Sequence, residues 1–243
     1  MIQKVAAAAF WLIIWQIAAE IVDSALIFPS FTETFYNMGV VMTTPGFLRA
    51  LGLTMLRVFG GVFCAFTLGS IIGMAAGLFR PLNDLLSPLL TTVRCIPVVS
   101  IILLLNLWFN SSIAPVTVTF LVCFPLAYTN IEEGMRNTDP LLLEMAQVYN
   151  VGFFKTVKEI YWPSLRPYII TALMNTIGMG WKATVTAEVL ANTRPSVGIN
   201  LYYSKLYLET ETLFAWTAII IICSWLIEVL TKSKLKKWST SHD

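Results

Sequence analysis

The stretch Arg57–Phe79, RVFGGVFCAFTLGSIIGMAAGLF, carries one charge at its first residue and none after it. At a helix rise of ~1.5 Å per residue it is long enough to cross a hydrocarbon core of ~30 Å. Gly61, Ala65, Gly69, Gly73 and Gly77 recur at every fourth position. One helical face is therefore a column of small side chains, along which a second helix can approach closely. The stretch reads as a membrane span built for tight packing, with a narrow pathway lining as the alternative.

The rest of the chain agrees. Over 243 residues the hydrophobic share is 57% and the charged share 12%, and the mean hydropathy is +0.73. Those values exclude an ordinary soluble domain. Apolar runs near residues 5–22, 57–79, 86–109, 113–131, 167–190 and 213–231 predict an all-α membrane protein of about six transmembrane helices, with residues 1–243 as a single transmembrane domain. Gln16 and Glu20 at the far end of the first run, with no small-residue cleavage site after them, favour a retained helix over a signal peptide.

Topology follows from the basic residues. With a cytoplasmic amino terminus, the inside segments hold Lys4, Arg80, Arg136, Lys155, Lys158, Arg166, Lys232, Lys234, Lys236 and Lys237, against Arg49, Arg57, Arg194 and Lys205 outside. The positive-inside rule then puts both termini in the cytoplasm. A net charge of +2 with scattered basic residues gives no footprint for nucleic acid. Cys64, Cys95, Cys123 and Cys223 match no metal-ligand spacing and read as small apolar side chains, and the single histidine, His242, as a solvated tail residue.

Polar features inside the spans are functional candidates, because ionisable groups at membrane depth face a bundle interior or a cavity. They are Arg94, Lys182 and Glu188, with Pro97 three residues beyond Arg94. Pro97 predicts a kink or break in the third span, tolerated only where protein or a water-filled cavity covers the freed backbone. Lys182 and Glu188 are six apart, so they do not pair along one face, and one is expected to find a partner on another helix. Two external segments complete the outline. FPSFTETFYNMGVVM, Phe28–Met42, predicts an interfacial amphipathic helix, and residues 191–212, opening with NTRPSVG, predict a turn at Pro195 and Gly198 and a docking surface.

Between the fourth and fifth spans, about residues 132–166, the apolar pattern stops. Asp139 before Pro140 is a helix start, with the aspartate as cap and the proline at the first helical position. Leu141, Leu142, Met145, Val148 and Tyr149 then form an apolar stripe, with Glu144, Gln147 and Asn150 on another. Asn150 tolerates the left-handed conformation that closes helices, and Gly152 follows. A second short helix from Phe153 carries Val157, Ile160 and Tyr161 on one side, and Pro163 is expected to stop it. Such a pair of amphipathic helices needs cover from a bilayer surface or a soluble partner.

This segment resembles the cytoplasmic signature of the membrane subunits of binding-protein-dependent ATP-binding-cassette (ABC) importers: Glu-Ala-Ala, three residues, Gly, nine residues, Ile, one residue, Leu-Pro. Glu144, Ala146, Ile160 and Pro163 stand at matching positions, whereas Met145, Asn150 and Trp162 replace an alanine, the glycine and the leucine. The resemblance extends through TMLRVFGGV, RPLNDLLSPLL, RCIPVVSIILLLNLWF, WKATVTAEVL and SVGINLYY, and points to the nitrate, sulfonate and taurine type of permease; Asn110 stands where that group usually has glycine. It implies a type I importer permease fold in a bacterial cytoplasmic membrane. It also implies a homodimer, two ATPase subunits that bind ATP and magnesium, and an extracytoplasmic solute-binding protein. Glu144, Met145, Ala146, Asn150, Gly152, Ile160 and Pro163 would then couple the chain to the ATPase, and Arg94, Pro97, Lys182 and Glu188 would line the pathway.

No phosphate-cradling G-x-x-x-x-G-K-[ST], H-E-x-x-H or G-x-S-x-G occurs, so neither ATP hydrolysis nor another hydrolase activity is expected of this chain. An ion-coupled secondary carrier or channel is the alternative. It would show repeated halves, and the sequence has no convincing repeat.

Overall fold

Helix starts and breaks set by a few residues give the observed order: α1 (Ile2–Val22), α2 (Phe31–Thr43), α3 (Phe47–Leu78), α4 (Arg80–Cys95), α5 (Val98–Trp108), α6 (Ala114–Arg136), α7 (Pro140–Val148), α8 (Phe153–Thr156), α9 (Trp162–Leu190), α10 (Val197–Leu206) and α11 (Thr210–Thr240). A single π turn, Val157–Tyr161, joins α8 to α9. The structure, a computed structural model, describes residues 2–240, with the side chains of residues 2–5, 8 and 234–240 outside that description. The readings of His242 and of the Lys4, Lys234, Lys236 and Lys237 side chains therefore lie outside the described residues. Among the described residues there is no strand, and the protein is an all-α membrane protein.

Helix α6 is the centre of the bundle, packed on α3 along one side and α9 along another. The small-residue column on α3 makes the first contact close. A side chain at Gly61 would meet Thr119 Cβ at 2.7 Å, one at Gly69 would meet Ala127 Cβ at 2.7 Å, and one at Gly73 would meet the Tyr128 carbonyl oxygen at 2.7 Å. Gly77 lies against Met135, and Ala65 is wholly buried. Val58, Val62, Cys123, Trp181 and Val185 close the core where α3, α6 and α9 meet.

Length and composition do not confirm six spans among the described residues. Three helices, Phe47–Leu78, Ala114–Arg136 and Thr210–Ser233, are long and apolar enough to cross a membrane, and the bent pair α4–α5 is a fourth if counted as one span. The apolar part of α1, Ala9–Val22, is shorter, and α9 reaches 29 residues but is diluted by Thr171, Asn175, Thr176, Lys182, Thr184, Thr186 and Glu188. The second run is longer than its apolar core. Gly46 takes φ 93°, a left-handed conformation that glycine adopts without steric cost, so α3 begins at Phe47 and already carries Arg49 and Arg57.

The segments before α3 and after α9 are also more ordered than their turn residues imply. Ser30 caps α2 in a reciprocal box with Glu33, and the Ser30 amide and hydroxyl hold the Glu33 carboxyl below its usual pKa. α2 exposes Phe35, Tyr36, Val40 and Met42 on one side. It packs on α11, with Val41 in a cluster with Phe47, Val197, Ala215, Trp216 and Ile219. Gly198 forms no turn; it sits in the first turn of α10, capped by Ser196, whose hydroxyl accepts from the Ile199 amide at 3.0 Å.

The glycine column gives a direct test. Gly73→Val places a side chain against a backbone carbonyl of α6 and is expected to destabilise by about 1–3 kcal/mol. Gly52→Ala, on the same helix with open space around it, should leave the unfolding midpoint in detergent unchanged or raised, and thermal unfolding of the two variants side by side checks both.

Candidate functional site

Between α6 and α9, the Asp139 side chain accepts from the Leu141 amide at 2.9 Å and starts α7, with Pro140 in its first turn. The other end closes as a six-to-one turn: the Val151 amide donates to Ala146 O at 2.8 Å and the Asn150 amide to Gln147 O at 3.0 Å. Asn150 takes φ 52°, so it is the residue on which the turn depends. Gly152 has φ −62° and ψ 149°, a conformation open to any residue, and serves as the extended residue before α8.

This hairpin leaves Leu141, Leu142, Met145, Val148, Tyr149, Phe153 and Phe154 exposed, Phe154 by 88%. Glu144 is exposed as well, whereas Ala146 is buried inside the hairpin and Ile160 is half-buried. Between the two arms lies a cavity of about 250 Å³, lined by Leu142, Met145, Tyr149, Lys155, Glu159 and Ile160 among others.

The expected stop at Pro163 does not occur. Residues 153–190 keep helical dihedrals throughout, through the π turn and into α9, with Pro163 in the first turn of α9. Proline lacks the N–H that would bond four residues back, and its ring clashes with that carbonyl in an α-helix. The π turn accommodates both effects: the Trp162 amide donates to Val157 O, five residues back, and the Ser164 hydroxyl donates to Ile160 O at 2.9 Å. The second arm of the hairpin is thus the end of a membrane helix.

The break at Pro97 is present and sharp, with α4 and α5 meeting at 96°. Arg94, one turn before it, donates from Nη2 to Pro125 O at 2.8 Å and to Thr129 Oγ1 at 2.7 Å, which ties the end of α4 to α6. Beside the break is a cavity of about 160 Å³ bordered by Arg94, Ile96, Val98, Pro125 and, from α9, Met179.

Lys182 and Glu188 part company. Lys182 is exposed on the outer face of α9. Glu188 does not line open space; it is wholly enclosed, and Arg57 Nη1 donates to its Oε1 at 2.9 Å, with side-chain exposures of 10% for Arg57 and 0% for Glu188. The Thr54 hydroxyl reaches both carboxylate oxygens at 3.0 and 2.9 Å, and the Gly198 amide donates to Oε2 at 3.2 Å. Arg57 also donates to Pro195 O at 3.1 Å, and Thr54 Oγ1 accepts from the Val197 amide at 3.0 Å. A side chain at Gly198 would stand 2.5 Å from Glu188 Cβ, so this close approach requires glycine. One carboxylate therefore joins α3, α9 and the amino-terminal end of α10, where helix partial charge favours an anion. Sequence reading anticipated a partner on another helix but did not name Arg57 or Thr54, which lie 131 and 134 residues away. No local spacing signals a pair that distant.

Among the described residues no group of three or more His, Cys, Asp or Glu side chains is arranged to hold a metal ion. Comparison with known proteins adds the family. The model of the family described as "Binding-protein-dependent transport system inner membrane component" matches residues 65–233. The taurine transport system permease protein TauC of Escherichia coli is 23% identical over 234 residues, which cover 94% of this chain and 85% of TauC. The bicarbonate transport system permease protein CmpB of Synechococcus elongatus is 27% identical over 150 residues, 61% of this chain and 54% of CmpB. Among solved structures, an amino acid ABC transporter chain superposes with TM-score 0.65 at 17% identity, covering 84% of this chain and 97% of its own, which shows a shared fold.

The buried pair yields a measurable expectation. Glu188→Met leaves Arg57 charged and without its counter-ion in the interior and should cost about 3–5 kcal/mol, whereas Glu188→Met combined with Arg57→Met should cost clearly less than the sum of those two single changes. Unfolding of the four proteins in one detergent closes the cycle.

Proposed function

Because the chain belongs to the binding-protein-dependent transport system inner membrane components, we propose that it is the permease subunit of an ATP-driven importer. Two copies, related by a two-fold axis along the membrane normal, enclose a pathway that opens alternately to each side. Two ATPase subunits, which bind the ATP and magnesium, power it, and an extracytoplasmic solute-binding protein delivers a small solute of the class named for its relatives. Both termini face the cytoplasm, as the distribution of basic residues supports. Residues 1–243 act as one transmembrane domain.

The observation that carries this reading is the cytoplasmic hairpin. Its exposed apolar side chains, Leu141, Met145, Val148, Tyr149, Phe153 and Phe154, need a partner surface. Its second arm continues without a break into α9. A force applied by a docked ATPase to the second arm would pass into α9 along one continuous helix rather than through a loop. In this role Glu144 and Met145 contact the ATPase. Ala146 and Asn150 hold the hairpin closed, Gly152 starts the second arm, and Ile160 and Pro163 shape the π turn that leads into α9. Arg94 and Pro97 shape the wall at the broken helix, and Lys182 faces the pathway. Glu188 acts behind that wall by holding α9 to α3 and α10.

The test is purification from native membranes followed by transport in sealed vesicles. An ABC ATPase is expected to co-purify, and uptake to require ATP; a chain that purifies alone and transports without ATP overturns the reading in favour of a secondary carrier or channel. Glu144→Ala should lower ATPase retention without loss of membrane insertion.

Asn150 supplies a finer comparison. Asn150→Gly is expected to keep ATP-driven uptake. Asn150→Val forces a β-branched residue into a left-handed conformation costing at least about 1–2 kcal/mol and should impair uptake. Equal uptake by both variants refutes the role of the turn.

A further inference from the structure

Helix α9 has two chemically opposed faces. Ala172, Thr176, Gly180, Ala183, Ala187 and Glu188 are buried, while Thr171, Asn175, Met179, Lys182 and Thr186 are exposed at steps of three or four residues. Other long helices expose large apolar side chains instead, such as Phe59 and Phe63 on α3 and Ile221 and Trp225 on α11. Those surfaces suit lipid, and the polar stripe of α9 does not.

Lys182 sits eight residues before Leu190, the end of α9, hence about 12 Å along the helix from that end. Among the described residues its ammonium has no hydrogen-bond or ion-pair partner. An ammonium facing hydrocarbon near mid-depth costs about 2.5–3.5 kcal/mol, so such residues border water or a counter-charge. The one acidic residue of α9, Glu188, is engaged on the buried side. One turn from Lys182, Met179 borders the cavity at the α4–α5 break, which Arg94 also borders. Arg94 is held there by a carbonyl and a hydroxyl, neither of which neutralises its charge. Arg94 at the cavity and Lys182 one turn of α9 beyond it are thus two uncompensated positive charges, with Thr186 one turn and Asn175 two turns from Lys182 as neutral hydrogen-bonding groups on the same exposed stripe.

We infer that Lys182 is the charge-selecting residue of the translocation pathway, attracting a small anion along the α9 stripe and repelling cations. This rests on the reading that α9 lines the pathway. If α9 lies near the two-fold axis, symmetry brings a second copy of the same ammonium to the same region. The two charges repel each other, and an anion between them satisfies both.

The test is charge-dependent labelling in a background with Cys64, Cys95, Cys123 and Cys223 replaced by alanine, in permease assembled with its ATPase. Asn175→Cys and Thr186→Cys are each reacted with negatively charged sulfonatoethyl and positively charged trimethylammonioethyl methanethiosulfonate, with Lys182 intact, as Lys182→Arg and as Lys182→Gln. Both positions should react, because these reagents need a hydrated thiol. The ratio of anionic to cationic rates should fall on the order of tenfold in Lys182→Gln and stay unchanged in Lys182→Arg. Unreactive thiols at both positions would show a covered face and overturn the pathway reading together with the inference. Reactive thiols whose rate ratio ignores Lys182→Gln would leave the pathway standing and overturn the role of Lys182. Elution of each variant as the intact complex on size exclusion separates these outcomes from misfolding.

Discussion

A carboxylate removed from water must be neutralised by its neighbours, and one half of this bundle is arranged around that requirement at Glu188. Carried on α9, it takes its partners from two other helices: the Arg57 guanidinium and Thr54 hydroxyl on α3, and the Gly198 amide at the start of α10. Electrostatics at low dielectric is strong in both directions, so the joint is favourable only while all three helices stay in register. The chain meets the demand locally as well. Gly198 leaves room for the glutamate side chain, and Ser196 caps the helix that brings the amide to it.

The other half is held by shape. The glycine column of α3 lets α6 come close enough that Tyr128 O lies where a side chain at Gly73 would be. Close approach raises the number of favourable short-range contacts without any hydrophobic gain relative to lipid, which is the form of attraction open to helices in a membrane. α6 thereby becomes a fixed post. The broken helix is tied to it through Arg94, and α9 packs on its other side. α3, α6 and α9 are thereby held as one unit, by close packing and by the Glu188 joint.

Local rules in the sequence were enough for much of this. Asp139 with Pro140 announced the start of α7, Asn150 announced its left-handed close, and Pro97 announced the broken helix, because each depends on the backbone chemistry of one or two residues. Other features depend on distant partners or on competition between rules. Arg57 read as an external charge because its partner lies on a helix far along the chain. Pro163 read as a stop because the rule for proline assumes α-helical spacing, which the π turn replaces. Six spans were expected from apolar runs, and length and composition confirm fewer among the described residues: α9 is a long helix whose buried face includes threonines and a glutamate satisfied by neighbours, so its hydropathy is low for its length. The family assignment rested on residue identities at fixed spacing, Glu144, Ala146, Ile160 and Pro163, and the match over residues 65–233 agrees with it.

The π turn at Val157–Tyr161 has a geometric consequence of its own. In an α-helix each residue advances the azimuth by about 100°, and a π turn amounts to one residue inserted into that count. The hairpin therefore points in a direction set by a single residue's worth of helical phase, while the polar stripe of α9 points in a direction set by everything above it. The same shaft connects them, so the angle between the hairpin and the polar stripe of α9 is recorded in five residues. Lineages that differ by one residue in this window would present the same hairpin to a different quarter of the compass, with every other contact in the bundle preserved.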